Sequence, residues 1–376
     1  MLTEANNPMQ PIRVAQVMGK MLGGGVEAVV MNYYRHIDRS QVQFDFLVDS
    51  DSTLVPRDEI ESLGGRVFII PPYQKPLAYQ RELVKLFAEQ QWPIVHSHIN
   101  TLSVFPLRAA QKAGIPVRIA HSHSTGGRGE KVKNIAKAIL KTQSNRYPTE
   151  RFACSRFAGE WLFGRKEPFE LVYNAIDLNR FWFSGQMRSK VRQQLGFDDG
   201  QFIVGHVGRF TPQKNQGFLI EAFEKLAELR DDAMLVLVGT GEGEKAAKEA
   251  VLELGIAERV RFLGQRDDVA DLYQAFDVFT LPSLYEGLGI VAIEAQAAGL
   301  PCLVSDAVPS EANITDSCEF LPINDIHTWA EMLNAIEPKT DIERADINHA
   351  NFANYDIVRQ GQWLTEEYMR IYKKAV

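Results

Sequence analysis

Cysteine is scarce in this sequence. The 376 residues contain three cysteines, Cys154, Cys302 and Cys318. Because their number is odd and no two lie close together, we expect neither a disulfide framework nor a zinc knuckle. Such cysteine usage is typical of a protein in a reducing compartment.

Long apolar runs are missing as well. The sequence offers no stretch of about 18 apolar residues to span a bilayer, and no basic segment followed by an apolar one opens the chain. It therefore predicts a cytoplasmic protein whose membrane contact, where it occurs, is peripheral and on the cytoplasmic face.

Positive charge is in deficit. Lys and Arg total 41 against 48 Asp and Glu, and the net charge of -7 argues against a protein that binds nucleic acid. Apolar residues make up 45% and charged residues 24%, as is typical of a globular protein. A chain of this length exceeds what one hydrophobic core usually serves, so we expect two domains.

Short apolar runs alternate with helical patterns in two consecutive series. Such runs, bounded by Pro, Gly or polar turns, predict buried parallel strands. The first series is 12–18, 44–48, 66–70, 94–98, 117–123 and 151–155, and the second is 202–208, 234–239, 260–264, 278–282 and 301–305. Helices are predicted between them, at 26–36, 78–90 and 103–113 among others. The pattern predicts an α/β protein of two doubly wound domains, with ligands in a cleft at the carboxyl ends of both sheets.

The domain boundary is predicted between residues 174 and 200, where a polar segment separates the two series. We assign 1–184 to the first domain and 185–355 to the second. The last segment, 356–374, has apolar residues near helical spacing, so it predicts an amphipathic closing helix that packs back on the first domain.

The run 281–306 is the most informative stretch. Glu286 and Glu294 stand eight residues apart, where a strand gives way to a bend with Gly287 and Gly289 and then to a helix predicted to start near Leu288. Glycines let backbone approach a ligand, and the amides at a helix start bind anions. Two carboxylates beside such amides suit a sugar nucleotide, which offers hydroxyls and phosphates.

The order of motifs closely resembles the family-4 retaining glycosyltransferases of the GT-B fold, in which two Rossmann-like domains clasp a nucleotide-sugar. The resemblance covers almost the whole chain and is of the bacterial exopolysaccharide or capsule type. Its matching pieces are 23–27, 172–181, 205–215, 237–244, 262–283 and the Glu286-x7-Glu294 run.

The resemblance implies roles in the second domain. Arg209 and Lys214 would hold the donor diphosphate, where fixed cations stabilise the leaving charge; the alternative is a pair of solvated surface cations. Glu286 would accept from hydroxyls of the donor sugar and Glu294 from the ribose, although a helix dipole alone can account for Glu286. Backbone groups would bind the phosphate, sugar and base at Gly208, Gly287, Leu288, Gly289, Gly264 and Gln265.

A glycine-rich turn at 239–244 also fits a dinucleotide fold. Its spacing is G-x-G-x-G, however, and the next strand ends in Gly264-Gln265 where an acidic residue would hold the ribose of NAD. We interpret it as a tight turn at the cleft.

In the first domain, Gly23, Gly24 and Gly25 form a strand-to-helix turn that can let the donor phosphate or the acceptor approach the backbone. Gly24 and Gly25 are therefore donor-site candidates, with a plain tight turn as the alternative. The helix dipole alone accounts for Glu27.

Two histidine pairs, His96/His98 and His121/His123, end neighbouring predicted strands. Alternate residues of a strand share a face, so each pair can present two imidazoles. No Cys or carboxylate completes a zinc site at short spacing, and no metal is expected. The resemblance implies that a histidine here contacts the transferred sugar or the acceptor. His121 fits best, with His123 open, and His98 and His123 are acceptor-side candidates.

Basic residues concentrate between 128 and 151, where seven cations face two glutamates. Apolar residues at helical spacing accompany them, so the segment fits a helix that rests on an anionic membrane. A solvated helix packed on the first domain fits equally well.

Together these features predict a retaining, metal-independent glycosyltransferase without a cofactor. It would move a hexose or N-acetylhexosamine from a nucleotide-sugar, expected to be a UDP-sugar, to a hydroxyl of a glycan or lipid-linked acceptor. A GT-B sugar-nucleotide epimerase and a non-catalytic nucleotide-binding or dehydrogenase-like protein are the alternatives.

Overall fold

A computed structural model describes residues 10–123, 138–198 and 200–376. The described chain forms two compact units. The first consists of 10–123, 138–176 and 354–376, and the second of 177–353 apart from residue 199.

The first unit contains a parallel sheet of seven strands in the order β3-β2-β1-β4-β5-β6-β7. The six predicted strands are confirmed with small shifts at their ends. The two-residue β7 is not recognisable in the sequence because it is too short to show a pattern. The strands are β1 (Ile12–Gly19), β2 (Val42–Asp49), β3 (Arg66–Ile70), β4 (Ile94–Ser97), β5 (Val117–Ser122), β6 (Glu150–Ala153) and β7 (Glu170–Leu171).

Helices cover both faces of this sheet, so its strands are buried on two sides. One core lies under the helix Gly25–His36 and the C-terminal helix Ile357–Ala375. The other lies under the helices Pro76–Gln90, Val104–Lys112 and Arg156–Phe163. Arg57–Ser62 is a further short helix and Asn100–Ser103 a 3-10 turn.

The second unit repeats this plan with a parallel sheet of six strands in the order β10-β9-β8-β11-β12-β13. Its predicted strands are confirmed, and β13 is an additional edge strand that the prediction missed. The strands are β8 (Phe202–Val207), β9 (Ala233–Val238), β10 (Val260–Phe262), β11 (Val278–Leu281), β12 (Cys302–Ser305) and β13 (Cys318–Leu321). The helices are Leu178–Phe181, Gly185–Leu195, Gln216–Leu229, Glu244–Glu253, Val269–Ala275, Ile290–Ala297, Ile326–Ala335 and Asp341–Ala345, with 3-10 turns at Ala257–Arg259, Ser310–Ala312 and His349–Tyr355.

Residues 178–184 belong to the second unit. The ring centroid of Phe181 lies 6.0 Å from that of Tyr273, and the Gln274 side chain donates to the Phe181 carbonyl at 3.1 Å. The Ser184 amide donates to Gln274 Oε1 at 3.0 Å. These contacts place the division of the chain at 176/177, whereas the sequence places it at 184/185.

In both sheets the strand order reverses once, between β1 and β4 and between β8 and β11. Loops at the carboxyl ends of such strands diverge and leave room for a ligand. Several candidate site residues follow these strands, among them Gly24 after β1, His98 after β4, Arg209 after β8 and Glu286 after β11. Within the described ranges, no helix is long and apolar enough to cross a membrane.

Candidate functional site

The loop after β8 and the bend after β11 hold each other in place. The Leu284 amide donates to the Gln213 carbonyl at 2.8 Å, and Gln213 Nε2 donates to the Tyr285 carbonyl at 2.9 Å. Because the neighbouring strands β8 and β11 carry these loops, the sheet brings Lys214 to Glu286 across 72 residues of sequence.

Lys214 and Glu286 form a short ion pair. Lys214 Nζ lies 2.6 Å from Glu286 Oε1, and the Ser283 hydroxyl donates to the same oxygen at 2.7 Å. The Glu286 side chain is 8% exposed and that of Lys214 18%. Arg209 is exposed at the start of the same loop. The site therefore presents two cations and an acceptor carboxylate at one end of the sheet.

Glu294 lies on the helix Ile290–Ala297, and the Tyr273 hydroxyl donates to its Oε2 at 2.9 Å. Burial raises the pKa of Glu294 to about 7, against the lowering effects of the Tyr273 hydrogen bond, Lys214 and Arg180. Its carboxylate therefore gains or loses a proton close to neutral pH, unlike an ordinary surface glutamate.

The helix after the bend begins at Ile290, shortly after the predicted start near Leu288. Gly289 is its N-cap and adopts φ 85°, ψ 51°, a left-handed conformation that ends any helical path from Leu288. Gly287, Leu288 and Gly289 are buried in the bend before the helix.

The turn at 239–241 is a tight turn that packs against the loop after β8. A Cβ on Gly239 would lie 2.2 Å from the Gly208 carbonyl oxygen, and one on Gly241 2.3 Å from that of Phe210. The Gly239 amide donates to the Gly264 carbonyl at 2.8 Å. Glycine is required here because backbone meets backbone. Gln265, next in sequence, is exposed.

In the first unit, the glycine turn after β1 is occupied by Glu27. Its carboxylate accepts from the Leu22 amide at 2.9 Å and from the Gly24 amide. The interpretation that the helix dipole alone accounts for Glu27 is therefore wrong, because the side chain closes the turn. Gly25 has open space where a Cβ would stand.

The two histidine pairs merge into one buried cluster. The ring centroids of His96 and His98 are 4.1 Å apart and those of His121 and His123 3.8 Å apart. Hydrogen bonds join the pairs, His96 Nε2 to His121 Nδ1 at 3.1 Å and His98 Nδ1 to His123 Nε2 at 2.9 Å. Burial lowers the pKa of all four imidazoles, that of His123 to about 3.

Nitrogen atoms of His96, His98 and His121 lie within 4.8 Å of one another. Among the described residues no cysteine or carboxylate joins this group. The nitrogens that join the two pairs are engaged in the hydrogen bonds above.

Residues 128–137 of the basic segment 128–151 lie outside the described residues, since 124–137 are not described. Its described end is attached to the helix Arg156–Phe163. The Ser144 hydroxyl donates to the Leu162 carbonyl at 2.9 Å, and Asn145 donates to the Phe163 carbonyl at 2.8 Å. Residues 150 and 151 belong to β6, so a helix extending to 151 is wrong.

Sequence reasoning missed several residues of these clusters. Tyr273 and Ser283 support the two glutamates, and Gln16 and Tyr368 support the histidines. Gln16 is a polar residue inside the apolar run of β1, which is the one signal that could have drawn attention to it.

Comparison with known proteins assigns the class. The family described as "Glycosyl transferases group 1" matches residues 187–350, and "Glycosyl transferase 4-like domain" matches 24–175. The chain is 36% identical over 310 residues to "Putative glycosyltransferase EpsF" of Bacillus subtilis (strain 168), covering 80% of this chain and 81% of that protein. The chain belongs to the family-4 glycosyltransferases of the GT-B fold, and it is a glycosyltransferase.

The chain is also similar to a second relative in sequence and to two solved structures in fold. It is 26% identical to the "UDP-Gal:alpha-D-GlcNAc-diphosphoundecaprenol alpha-1,3-galactosyltransferase" of Escherichia coli, over 91% of this chain and 92% of that one. Anabaena Alr3699/HepE in complex with UDP and glucose superposes with a TM-score of 0.79 at 22% identity, covering 96% and 100% of the chains. WaaG, a glycosyltransferase involved in lipopolysaccharide biosynthesis, superposes with a TM-score of 0.65 at 17% identity, covering 96% of this chain and 99% of that one. Both structures show the same fold.

Proposed function

We propose that this protein is a retaining glycosyltransferase that moves a hexose or N-acetylhexosamine from a UDP-sugar to a sugar hydroxyl. The acceptor is a glycan or a lipid-linked sugar in surface polysaccharide synthesis. The observation that carries the proposal is the ion pair of Lys214 with Glu286, on loops that follow adjacent strands, with Arg209 exposed at the start of the Lys214 loop.

The chemistry of this group fits departure of a nucleoside diphosphate. Negative charge grows on the leaving oxygen in the transition state, and fixed cations there lower the barrier. Arg209 and Lys214 supply two positive charges, while Glu286 accepts from sugar hydroxyls and Glu294 from the ribose. Positive charge is thus available from side chains, which supports a metal-independent reaction without a further cofactor.

In this mechanism the leaving phosphate oxygen takes the proton of the attacking hydroxyl. Attack occurs on the face that the diphosphate leaves, so no nucleophile of the enzyme is required. Glu286 already accepts from Lys214 and Ser283, so its carboxylate is placed as a hydrogen-bond acceptor.

The relatives support the choice of donor and acceptor class. The name of the E. coli relative specifies UDP-Gal and a diphosphoundecaprenol-linked GlcNAc. The HepE structures hold UDP, UDP with glucose, and UDP-glucose. UDP-galactose and UDP-glucose are therefore the first donors to test.

The test measures release of nucleoside diphosphate from a panel of nucleotide-sugars, with and without α-D-GlcNAc-diphosphoundecaprenol. We expect a UDP-sugar to raise the melting temperature and to be consumed only when an acceptor is present. NMR of the product should show the anomeric configuration of the donor. Consumption that does not depend on an acceptor would instead identify an epimerase or hydrolase, and binding without consumption would identify a nucleotide-binding protein.

A further inference from the structure

The four histidines are joined through Tyr368 and Gln16 into one continuous chain of hydrogen bonds. In order, the chain runs His121, His96, Tyr368, Gln16, His98, His123. At its two ends, His121 Nε2 and His123 Nδ1 are buried and have no hydrogen-bond partner among the described residues. Unpaired buried nitrogens are uncommon and each requires an explanation.

Gln16 sets the direction of one half of the chain. Its Oε1 can only accept, so His98 Nε2 donates to it, at 2.7 Å. A neutral imidazole has one donor and one acceptor nitrogen, so His98 Nδ1 accepts from His123 Nε2, at 2.9 Å. His123 is then left with an unprotonated Nδ1, which is an acceptor.

The Gln16 amide also sets the direction of the hydrogen bonds through Tyr368, His96 and His121, which are donated away from Gln16. Gln16 Nε2 donates to the Tyr368 oxygen at 3.2 Å, so the Tyr368 hydroxyl donates to His96 Nδ1, at 2.6 Å. His96 Nε2 therefore donates to His121 Nδ1, at 3.1 Å. His121 is left with a protonated Nε2, which is a donor.

All four imidazoles are neutral at neutral pH, so each ring has one donor and one acceptor nitrogen. Burial, with repulsion from neighbouring imidazoles for His96, His98 and His121, lowers their pKa values. Each imidazole is then the Nε2–H tautomer. If the Oε1 and Nε2 atoms of Gln16 exchanged places, the direction of every hydrogen bond in the chain would reverse. All four imidazoles would then be Nδ1–H tautomers, with His121 Nε2 the acceptor and His123 Nδ1 the donor.

We infer that Gln16 and Tyr368 are positioning residues that lock four histidines into one shared tautomer, so that His121 and His123 always present one donor and one acceptor. A hydroxyl group, which both accepts and donates, satisfies such a pair of ends. Resting on the proposed function, the inference assigns this pair to a hydroxyl of a sugar substrate.

The surroundings fit a single hydroxyl. The four rings, Gln16 and Tyr368 line a cavity of about 10 Å³, the space that one oxygen atom of a water or hydroxyl group occupies. The rest of its wall is largely apolar, formed by Val29, Val30, Tyr33, Phe44, Val172 and Leu364. A charged group would be poorly solvated there.

The tautomers can be read by NMR of the full-length protein with ¹⁵N-labelled histidine. In the wild type we expect His96, His98, His121 and His123 to share the Nε2–H form. A two-and-two division among them would overturn the inference, whatever the enzyme's activity.

Two variants test the direction of the coupling. Gln16→Glu places two acceptors at the centre, so the Tyr368 hydroxyl donates to the carboxylate and His96 and His121 should change to Nδ1–H. Tyr368→Phe disconnects His96 and His121, which should then populate both forms while His98 and His123 keep theirs. Four unchanged tautomers in Gln16→Glu would contradict the coupling, even if the second variant failed to fold.

Kinetics tests the substrate part. Tyr368→Phe should lower kcat about tenfold, because His96 and His121 lose the partner that fixes their tautomer, with UDP affinity unchanged. Tyr372→Phe is the matched control, since Tyr372 lies one turn further along the same helix and does not line the cavity; it should keep wild-type kcat. Wild-type kcat in Tyr368→Phe would overturn the hydroxyl assignment, whereas absence of transfer by the wild type would overturn only the proposed function.

Discussion

Lys214 and Arg209 are the side chains on which turnover should depend most. Removing either cation takes away charge stabilisation that matters only as the diphosphate leaves, so Arg209→Ala and Lys214→Met should each lower kcat by about a hundredfold or more. The measurement is steady-state release of UDP, together with a thermal melt that verifies folding.

Lys245→Met is the control for this experiment. Lys245 is also a lysine of the second unit, but its side chain is 88% exposed and pairs loosely with Glu249 at 3.7 Å. Its loss should leave kcat unchanged. Near-normal turnover in Lys214→Met would rule out the diphosphate role.

Glu294 should make UDP binding pH-dependent. In the proposed function, ribose hydroxyls would donate to the ionised carboxylate of Glu294, whose pKa is raised to about 7. The contact is therefore complete above that pH and is lost as the pH falls through it, so affinity should drop about tenfold from pH 8 to pH 6. Calorimetry at several pH values measures this, and Glu294→Gln should bind more weakly with a flat profile. An equal slope in the variant would assign the dependence to another group.

At the scale of elements, the glycine turn after β9 fixes the loop that carries Arg209. Gly239 has φ 132° and its Cβ would collide with the Gly208 carbonyl, so Gly239→Ala should lower the free energy of unfolding by more than about 2 kcal/mol and reduce kcat. Gly255→Ala is the control, because Gly255 also has positive φ, 70°, but open space at the Cβ, and should cost about 1 kcal/mol. Chemical denaturation measures both. Equal losses would mean that conformation alone, and not the contact with Gly208, makes glycine necessary.

Strands with a clear apolar pattern could be predicted from the sequence, whereas a short, partly buried edge strand could not. The runs at β1, β5 and β9 are apolar and bounded by turns, so their strands follow from the pattern. The edge strand β13, with the sequence CEFL, is only partly buried and lacks that signal. It forms because β12 offers an unpaired edge, which is a property of the folded sheet.

At the scale of the whole molecule, the chain returns to its first unit after completing its second. The C-terminal helix buries Ile357, Leu364, Tyr368 and Ile371 in a core that also contains Val14 and Phe44 of β1 and β2. The sequence predicts the amphipathic helix, but only the fold shows that its hydroxyl at Tyr368 reaches His96 across 272 residues.

Leu364→Ala tests this arrangement. Leu364 is 3% exposed, and its truncation should cost about 2–5 kcal/mol. Hydrogen exchange should accelerate in β1 and β2 and stay unchanged in β8 and β9. Val358→Ala, on the same helix but 58% exposed, should leave both sheets protected. Faster exchange confined to the second sheet would show that the helix stabilises the other unit.

The sequence by itself determined the two-sheet α/β class and the family, because apolar periodicity and motif order are local properties. It also indicated four site candidates, because predicted strands precede Arg209, Lys214 and Glu286 and a glycine bend separates Glu286 from Glu294. Tertiary structure alone decided their partners: Ser283 and Lys214 for Glu286, Tyr273 for Glu294, and the Gln16–Tyr368 connection for the histidines. Hydrogen bonds depend on distances of a few tenths of an ångström between residues far apart in sequence, and no spacing along the chain encodes them.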